Sequence, residues 1–396
     1  MRILHTSDWH LGRSFHREAL LDAQAGFVDH LVQTIEEEKV DLVVVSGDIY
    51  DRALPPVDAV ELADETFARL ASSRAAVVVT SGNHDSQIRL GFGSRLADAA
   101  GIHLRTRWQD VGTPVLLEDQ HGAVAVHGLP YLEPDAVRGP WGLTSRTHEA
   151  ALTEAMARVH ADLDRRAGTR SVVMAHAFVA GSPEAATGMA SDSERDISVG
   201  GVQIAPTSLF TRVDYAALGH LHGRATLTDT VRYSGSPLAY SFSEARHTKG
   251  SWLVELGPDG VERTDFVTAP VPRHLATLRG RIDELLVDPA HADVEDAWLQ
   301  VTLTDPRRPM HAMDRLRTRF PHVLILSFEP DGLTRDRGPV MPRVDGRSDL
   351  DVALGFVAEV RALEATTEEA LLLQLACDSC RINEDADRPL RIEEAG

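Results

Sequence analysis

Short apolar runs, each closed by glycine, aspartate, asparagine or histidine, recur from Met1 to about Phe266. They are Ile3-Leu4, Leu42 to Val45, Val77 to Val79, Val124 to Val126, Val172 to Met174 and Ala216 to Leu218. Runs this short, without polar alternation, suit strands buried on both faces. Between them the spacing becomes helical, first through Leu20, Leu21, Phe27, Val28, Leu31 and Ile35, then after Pro55-Pro56 through Val60, Phe67 and Leu70. The pattern predicts a layered α/β domain. In such sheets the chemistry gathers at the carboxyl ends of the strands, where the polar clusters of this chain fall.

The pattern changes at Pro270-Val271-Pro272, which reads as a linker. Beyond it a small α/β domain is predicted: strand His274 to Leu278, helix Ile282 to Leu286, strand Trp298 to Leu303, helix Met313 to Phe320 and strand Val323 to Phe328. A Pro- and Gly-containing stretch, Asp331 to Asp345, then precedes two helical segments, Leu350 to Leu363 and one carrying Leu371 to Leu375. The second opens on a capping box, Thr366-Thr367-Glu368-Glu369. The expected division is 1–268, 273–330 and 346–396.

Length and composition fit this scheme. A chain of 396 residues favours two or three domains, and 43% apolar with 25% charged residues is ordinary for a globular protein. No run reaches the roughly 18 apolar residues of a membrane helix, and MRILHTSD is strand-like with no leader pattern, so the expectation is a cytoplasmic protein without a membrane partner. Cys377 and Cys380 lack the second pair a zinc site needs and read as packing residues of a helix. A net charge of −20 argues against a polyanionic partner unless bound cations supply the positive field.

Five strand ends carry the donors for such cations: Asp8-Trp9-His10, Gly47-Asp48, Gly82-Asn83-His84-Asp85, His176 and Gly219-His220-Leu221-His222. One histidine at a strand end is usually a hydrogen-bonded structural residue, and Gly-Asp or Gly-Asn alone is turn chemistry. The whole series, each member directly after an apolar run, is not explained that way. In an exit loop, residues i and i+2 are expected on one side, so Asp8 and His10, or His220 and His222, can reach one ion. Oxygen and imidazole donors without thiolate suit Mn²⁺, Fe or Zn, with Mg²⁺ less natural. Two ions can clamp the attacking and leaving oxygens of a phosphate ester, with Asp48 the natural bridge. His5, His16, His103, His127 and His247 read as structural.

This series resembles the motif set of the calcineurin-like metallophosphoesterases. The resemblance implies a first ion on Asp8, His10, Asp48 and His222, and a second on Asp48, Asn83, His176 and His220. Gly47-Asp48-Ile49-Tyr50-Asp51-Arg52 is similar to the family's GDxxDR motif, which implies that Asp51 orients His84 and that His84 serves the leaving oxygen. Outside the metal motifs, HTSDWHLGRSF from His5, HGLPY from His127, SERDISVGG from Ser193 and RYSGSPLAYSFSE from Arg232 resemble the SbcD family of bacterial nuclease subunits. That likeness implies two divalent ions, Mn²⁺ first, and DNA ends and hairpins as substrate for 3′-to-5′ exonuclease and endonuclease action. It also implies a homodimer within a heterotetramer with an SbcC-type coiled-coil ATPase, docked through the C-terminal helices, near the nucleoid.

Two other classes use the same residues. A phosphodiesterase or phosphatase for small molecules or proteins shares the ions, and a non-catalytic scaffold retains them only to stiffen its fold. The complete donor set with His84 argues against the scaffold.

Overall fold

The computed structural model describes residues 1–182, 189, 191, 192, 194, 204–331, 348–361 and 363–386. Most of SERDISVGG and of the Asp331 to Asp345 stretch, together with the Cys380 side chain, lies outside the described residues. The chain divides into two compact units, Met1–Thr302 with His311–Ser327, and Leu303–Met310 with Phe328–Gly396.

Two six-stranded sheets build the first unit. One contains β1 (Arg2–Thr6), β4 (Leu42–Ser46), β5 (Ala76–Thr80), β6 (Ile102–Arg105), β15 (Gly250–Gly257) and β16 (Gly260–Thr268), in the order β16-β15-β1-β4-β5-β6. The other contains β7 (Val115–Asp119), β8 (Gly122–Leu129), β9 (Arg170–His176), β12 (Tyr215–Gly219), β13 (Ala225–Thr226) and β14 (Val231–Tyr233), in the order β13-β14-β12-β9-β8-β7. Two short pairs, β2 (Ser14–Phe15) with β3 (Glu18–Ala19) and β10 (Val179–Ala180) with β11 (Ala205–Pro206), stand outside these sheets. Central pairs are parallel, β1 with β4, β4 with β5, β8 with β9 and β9 with β12. The ends of the sheets carry antiparallel hairpins, β15-β16 and β7-β8, of whose four strands the apolar runs marked β8 alone.

The unbroken runs are explained by a period of two inside a buried sheet. Leu42, Val44 and Val78 pack with Val124, Val172 and Met174 of the facing sheet. Their neighbours Val43, Val45, Val77 and Val79 turn outward, against helices α1 (Leu21–Glu37) and α2 (Val57–Ala71). On the far side of the second sheet, Val173 and Ala175 pack with Leu152, Met156 and Val159 of His148–Leu163. The result is four layers, helix, sheet, sheet and helix, a layered α/β fold as expected, with a second sheet that the pattern did not specify. In α2 the buried stripe is Ala59, Ala63, Thr66 and Leu70, while Val60 is exposed. Small residues there let the helix approach the turn at Gly12, where an added Cβ would lie 2.9 Å from Ala59 Cβ.

The predicted elements after the linker are present as Leu275–Gly280, Ile282–Val287, Trp298–Leu303, Ala312–Arg317 and Val323–Phe328. Its three strands form one sheet. Trp298, Leu324 and Ile325 pack on Phe15, Leu238, Tyr240 and Phe242, so this small sheet leans on two loops that border the strand ends. In the second unit, helices Asp349–Arg361 and Thr367–Ala386 follow. The second has its capping box: Thr366 N–H donates to Glu369 Oε2 at 2.9 Å and Glu369 N–H to Thr366 Oγ1 at 3.3 Å. No helix among the described residues is long and apolar enough to cross a membrane.

Candidate metal centre

β1, β4, β5, β9 and β12 end on one rim of the paired sheets, and the loops leaving them bring the predicted donors together. Asp8, His10 and Asp48 have left-handed φ values of 54°, 46° and 51°, and His220 has φ 103°. Non-glycine residues rarely occupy this region, and such strain collects at functional sites. The expectation that i and i+2 simply share a side is therefore incomplete, because it takes tight turns to aim Asp8 and His10 at one point. Those turns are pinned from α1, where Gln24 Nε2 donates to the His10 carbonyl at 2.7 Å and Gln24 Oε1 accepts from Gly12 N–H at 3.0 Å.

The glycines of the motifs have a steric reason. A Cβ on Gly82 would overlap the Asp48 carboxylate, and one on Gly219 would overlap the Ser46 carbonyl. Only glycine allows exit loops to come this close, within one sheet at Gly82 and between the two sheets at Gly219.

Potential ligand atoms of Asp8, His10 and His222 lie within 4.8 Å of one another, as do those of Asp8, Asp48 and His176. Asp8 is common to both sets, and Asp48 belongs to the second and to a third, with His10 and His84. Asp48 Oδ2 is 3.3 Å from His176 Nε2 and 3.6 Å from His10 Nε2, while Oδ1 accepts from His84 N–H at 2.9 Å. Asn83 Oδ1 lies 3.0 Å from His176 Nε2 and 3.1 Å from His220 Nδ1. His10 Nε2 and His222 Nε2 approach to 3.1 Å.

His176 Nδ1 faces the Ser46 carbonyl at 2.9 Å and His222 Nδ1 faces Glu244 Oε1 at 3.2 Å. Each ring, when neutral, therefore spends its proton on that outer partner and turns a bare Nε2 inward. With the rings neutral, buried lone pairs of nitrogen and oxygen converge without protons between them. His10 Nδ1 is also buried without a hydrogen-bond partner. An arrangement of acceptors alone is unfavourable unless positive charge occupies its centre.

The electrostatics agree. Burial lifts the Asp8 carboxyl to about 6, against the pull of His176 and His222. Burial opposes charge on His176, yet Asp48 beside it prevails and raises the ring to about 9. Burial would also raise Asp48, but the charge and hydrogen bond of His176, with His10 and His84, hold it well below the usual carboxylate range. Where no cation balances it, the Asp48 carboxylate draws positive charge onto His176. Burial lowers His10 far below its ordinary value and His220 to about 3, which leaves both rings neutral and able to donate a lone pair. The donor set fits divalent ions.

His84 stands at the edge of this group, its ring 4.7 Å from that of His10 and nearly perpendicular to it. Its Nδ1 bonds Asp51, as the motif implies, but through the main-chain carbonyl, at 2.7 Å. The Asp51 carboxylate instead meets Arg13 at 3.4 Å and Arg52 at 3.5 Å. A carboxylate that ties the two motif loops together is Asp85, which accepts from the N–H groups of Ile49, Tyr50 and Gly82. Three of the histidines read as structural have ordinary partners: His5 bonds Tyr215 and the Leu218 carbonyl, His103 pairs with Asp98 and His127 with Asp162.

Asp85, Gln24, Tyr131, Glu194, Glu244 and Lys249 are site residues whose roles sequence reasoning passed over. Tyr131, from HGLPY, lies nearly parallel to His220 with ring centroids 6.4 Å apart. Glu194 accepts from His222 N–H. One signal was available. Lys249 is one of only two lysines in the chain and follows Glu244 by five residues, an acid-base pair in a region otherwise basic through arginine.

The family model described as calcineurin-like phosphoesterase matches residues 1–224, more than half of the chain, and the chain belongs to that family. A second family model, SbcD_C, described as type 5 capsule protein repressor C-terminal domain, matches residues 271–361. Together the two matches make this an SbcD-like chain, in line with the resemblance carried by its motifs. Among solved structures, TT1561 of Thermus thermophilus is 14% identical, with 67% of this chain and 98% of that one covered and a TM-score of 0.39. GAP50 of Plasmodium is 13% identical over 68% and 84%, with a TM-score of 0.41. A dimetal phosphatase from Danio rerio is 14% identical over 68% and 99%, with a TM-score of 0.38. Similarity this low carries no argument, and the assignment rests on the family models and the topology.

Proposed function

We propose that the chain is a metal-dependent DNA nuclease, acting on DNA ends and hairpins as 3′-to-5′ exonuclease and endonuclease. The phosphoester part rests on the convergence of Asp8, His10, Asp48, Asn83, His176, His220 and His222 as lone-pair donors around one point. The step to DNA is carried by one observation, the SbcD C-terminal match beside the phosphoesterase match.

Asp8, His10, Asp48 and His222 would hold one divalent ion, and Asp48, Asn83, His176 and His220 a second, with Mn²⁺ the favoured metal and Mg²⁺ an alternative. Such ions, when bound, polarise the phosphate and lower the pKa of a bound water. The chain does the rest. Asp48 spans both positions, and its contact with His84 N–H fixes the GNH turn beside them. His84, with Nδ1 donating to the Asp51 carbonyl, keeps Nε2 for the leaving oxygen; as imidazolium, with protons on both ring nitrogens, it would give the Nε2 proton to that oxygen and revert to the neutral ring. Asp51 thus acts as a positioning residue through its backbone. Tyr131 borders the group, its ring beside those of His176 and His220.

In this reading 1–268 carries the chemistry, 273–330 shapes the DNA site and 346–396 binds a partner. Phe356, Leu371, Leu372 and Leu375 are exposed on the two C-terminal helices, an apolar surface suited to a coiled-coil ATPase of the SbcC type. A homodimer carrying two such ATPases completes the assembly. The nucleoid is where it would act.

The test compares a DNA hairpin with a small nitrophenyl phosphodiester as substrates under Mn²⁺. Efficient hairpin cleavage is the expected result. Turnover of the small ester with intact DNA would instead select a small-molecule phosphodiesterase.

A further inference from the structure

Besides Glu194, which accepts from its N–H, one short segment grips His222 from outside the metal motifs. After β14 the chain runs through Ser234, Tyr240 and Glu244 to Lys249, and each of these reaches back to the rim. Glu244 is buried; its Oε1 faces His222 Nδ1 at 3.2 Å, and its Oε2 accepts from Lys249 Nζ at 2.6 Å and from Tyr240 N–H at 3.2 Å. Lys249 Nζ also donates to the His222 carbonyl at 2.8 Å and to Ser236 Oγ at 2.9 Å, which accounts for its three protons. One ion pair therefore holds both the ring and the backbone of His222. Tyr240 fills the space beside it, with ring centroids 5.3 Å from His10 and 5.6 Å from His222.

The other half of the centre is held differently, since His176 Nδ1 is fixed by the Ser46 carbonyl. We propose that Glu244, anchored by Lys249, is the positioning residue for His222 and sets the affinity of the Asp8–His10–His222 position separately from that of the Asn83–His176–His220 position. The proposal rests on the metal-dependent reading above. A carboxylate behind a ligating imidazole fixes the tautomer, orients the ring and strengthens the donor nitrogen. Lys249 keeps that carboxylate ionised and immobile inside the protein, where an unpaired charge would be expelled. The cost of the buried pair is offset only if its geometry is needed.

The experiment titrates the full-length, metal-free protein with Mn²⁺ alone and counts binding steps by calorimetry and by the electron paramagnetic resonance of free Mn²⁺. Wild type is expected to bind two ions. Glu244→Ala should weaken one step about 10- to 100-fold and leave the other unchanged. Glu244→Gln, which keeps an oxygen facing Nδ1, should recover part of that loss, and Asn83→Ala should weaken the opposite step. Should Glu244→Ala not fold, Glu244→Gln and Lys249→Met decide the matter, each expected to weaken the same single step.

Two unchanged steps in the Glu244 and Lys249 variants, or equal weakening of both, would overturn the positioning role while leaving the metal-dependent reading in place. A wild-type protein that binds no pair of ions would overturn both.

Discussion

The two halves of the proposed metal centre are built by different means. Around His176 the fixing groups are main chain: the Ser46 carbonyl takes Nδ1, and the strand ends of β4, β5 and β9 set the distances. Around His222 they are side chains, Glu244, Lys249 and Glu194, delivered by loops that are remote in sequence. A half built on strand ends is as rigid as the sheets beneath it. A half built on a buried ion pair depends on two further residues staying charged and paired. Substitutions can separate these modes.

The largest effect is expected where the halves meet. Asp48→Ala removes the one carboxylate within 3.6 Å of both His10 and His176 among the described residues, and it should abolish cleavage and eliminate both Mn²⁺ binding steps. Retention of one full-affinity step would mean that Asp48 belongs to a single half. Next comes His84→Gln, which leaves the backbone contact of residue 84 with Asp48 and all seven proposed ligands in place. It should keep both ions and lose about 10²- to 10⁴-fold in kcat, the usual worth of a general acid. Normal turnover in that variant would remove His84 from the chemistry.

How much of this was legible follows the same division. The donors on strand ends could be read because apolar run, glycine and ligand are contiguous: Gly82 must lack a side chain for Asp48 to fit, so the motif itself records the contact. The four-layer fold was legible for a related reason, since Leu42 to Val45 can be apolar throughout only if both faces of the strand are covered. The outer strand β16 was not, because an edge strand with an exposed face mixes polar and apolar residues and loses the run. Glu244 was hidden for a stronger reason. A glutamate in a serine-rich loop reads as surface, and nothing within its own neighbourhood reveals His222 22 residues away. The route from Asp51 to His84 was misjudged in one detail, because sequence shows a side chain and the contact uses the carbonyl.

The strand-end half can be strained by a single methyl group. Gly82→Ala places a Cβ on the Asp48 carboxylate, so either the GNH turn or Asp48 must move. A displacement near 1 Å at a reacting centre costs on the order of 10²-fold in rate. The expected signature is a drop of that size in kcat with folding intact by circular dichroism. Unchanged kcat would show that this half is softer than its main-chain construction implies.

The smallest effect is expected in the loop-built half. Ser234 Oγ lies 2.7 Å from Ser7 Oγ, which in turn donates to Asp8, so this pair joins the Glu244-bearing segment to the first turn of ligands. Ser234→Ala removes one buried hydrogen bond while Ser7 keeps its carboxylate partner, so the loss should be about 1 kcal/mol in unfolding free energy. Because Glu244 and Lys249 remain, Mn²⁺ affinity at the His222 position should hardly change. If that affinity instead fell as far as in Glu244→Ala, the whole segment rather than its ion pair would be what holds His222, and the contrast between a rigid half and a pinned half would become one between sheet and loop.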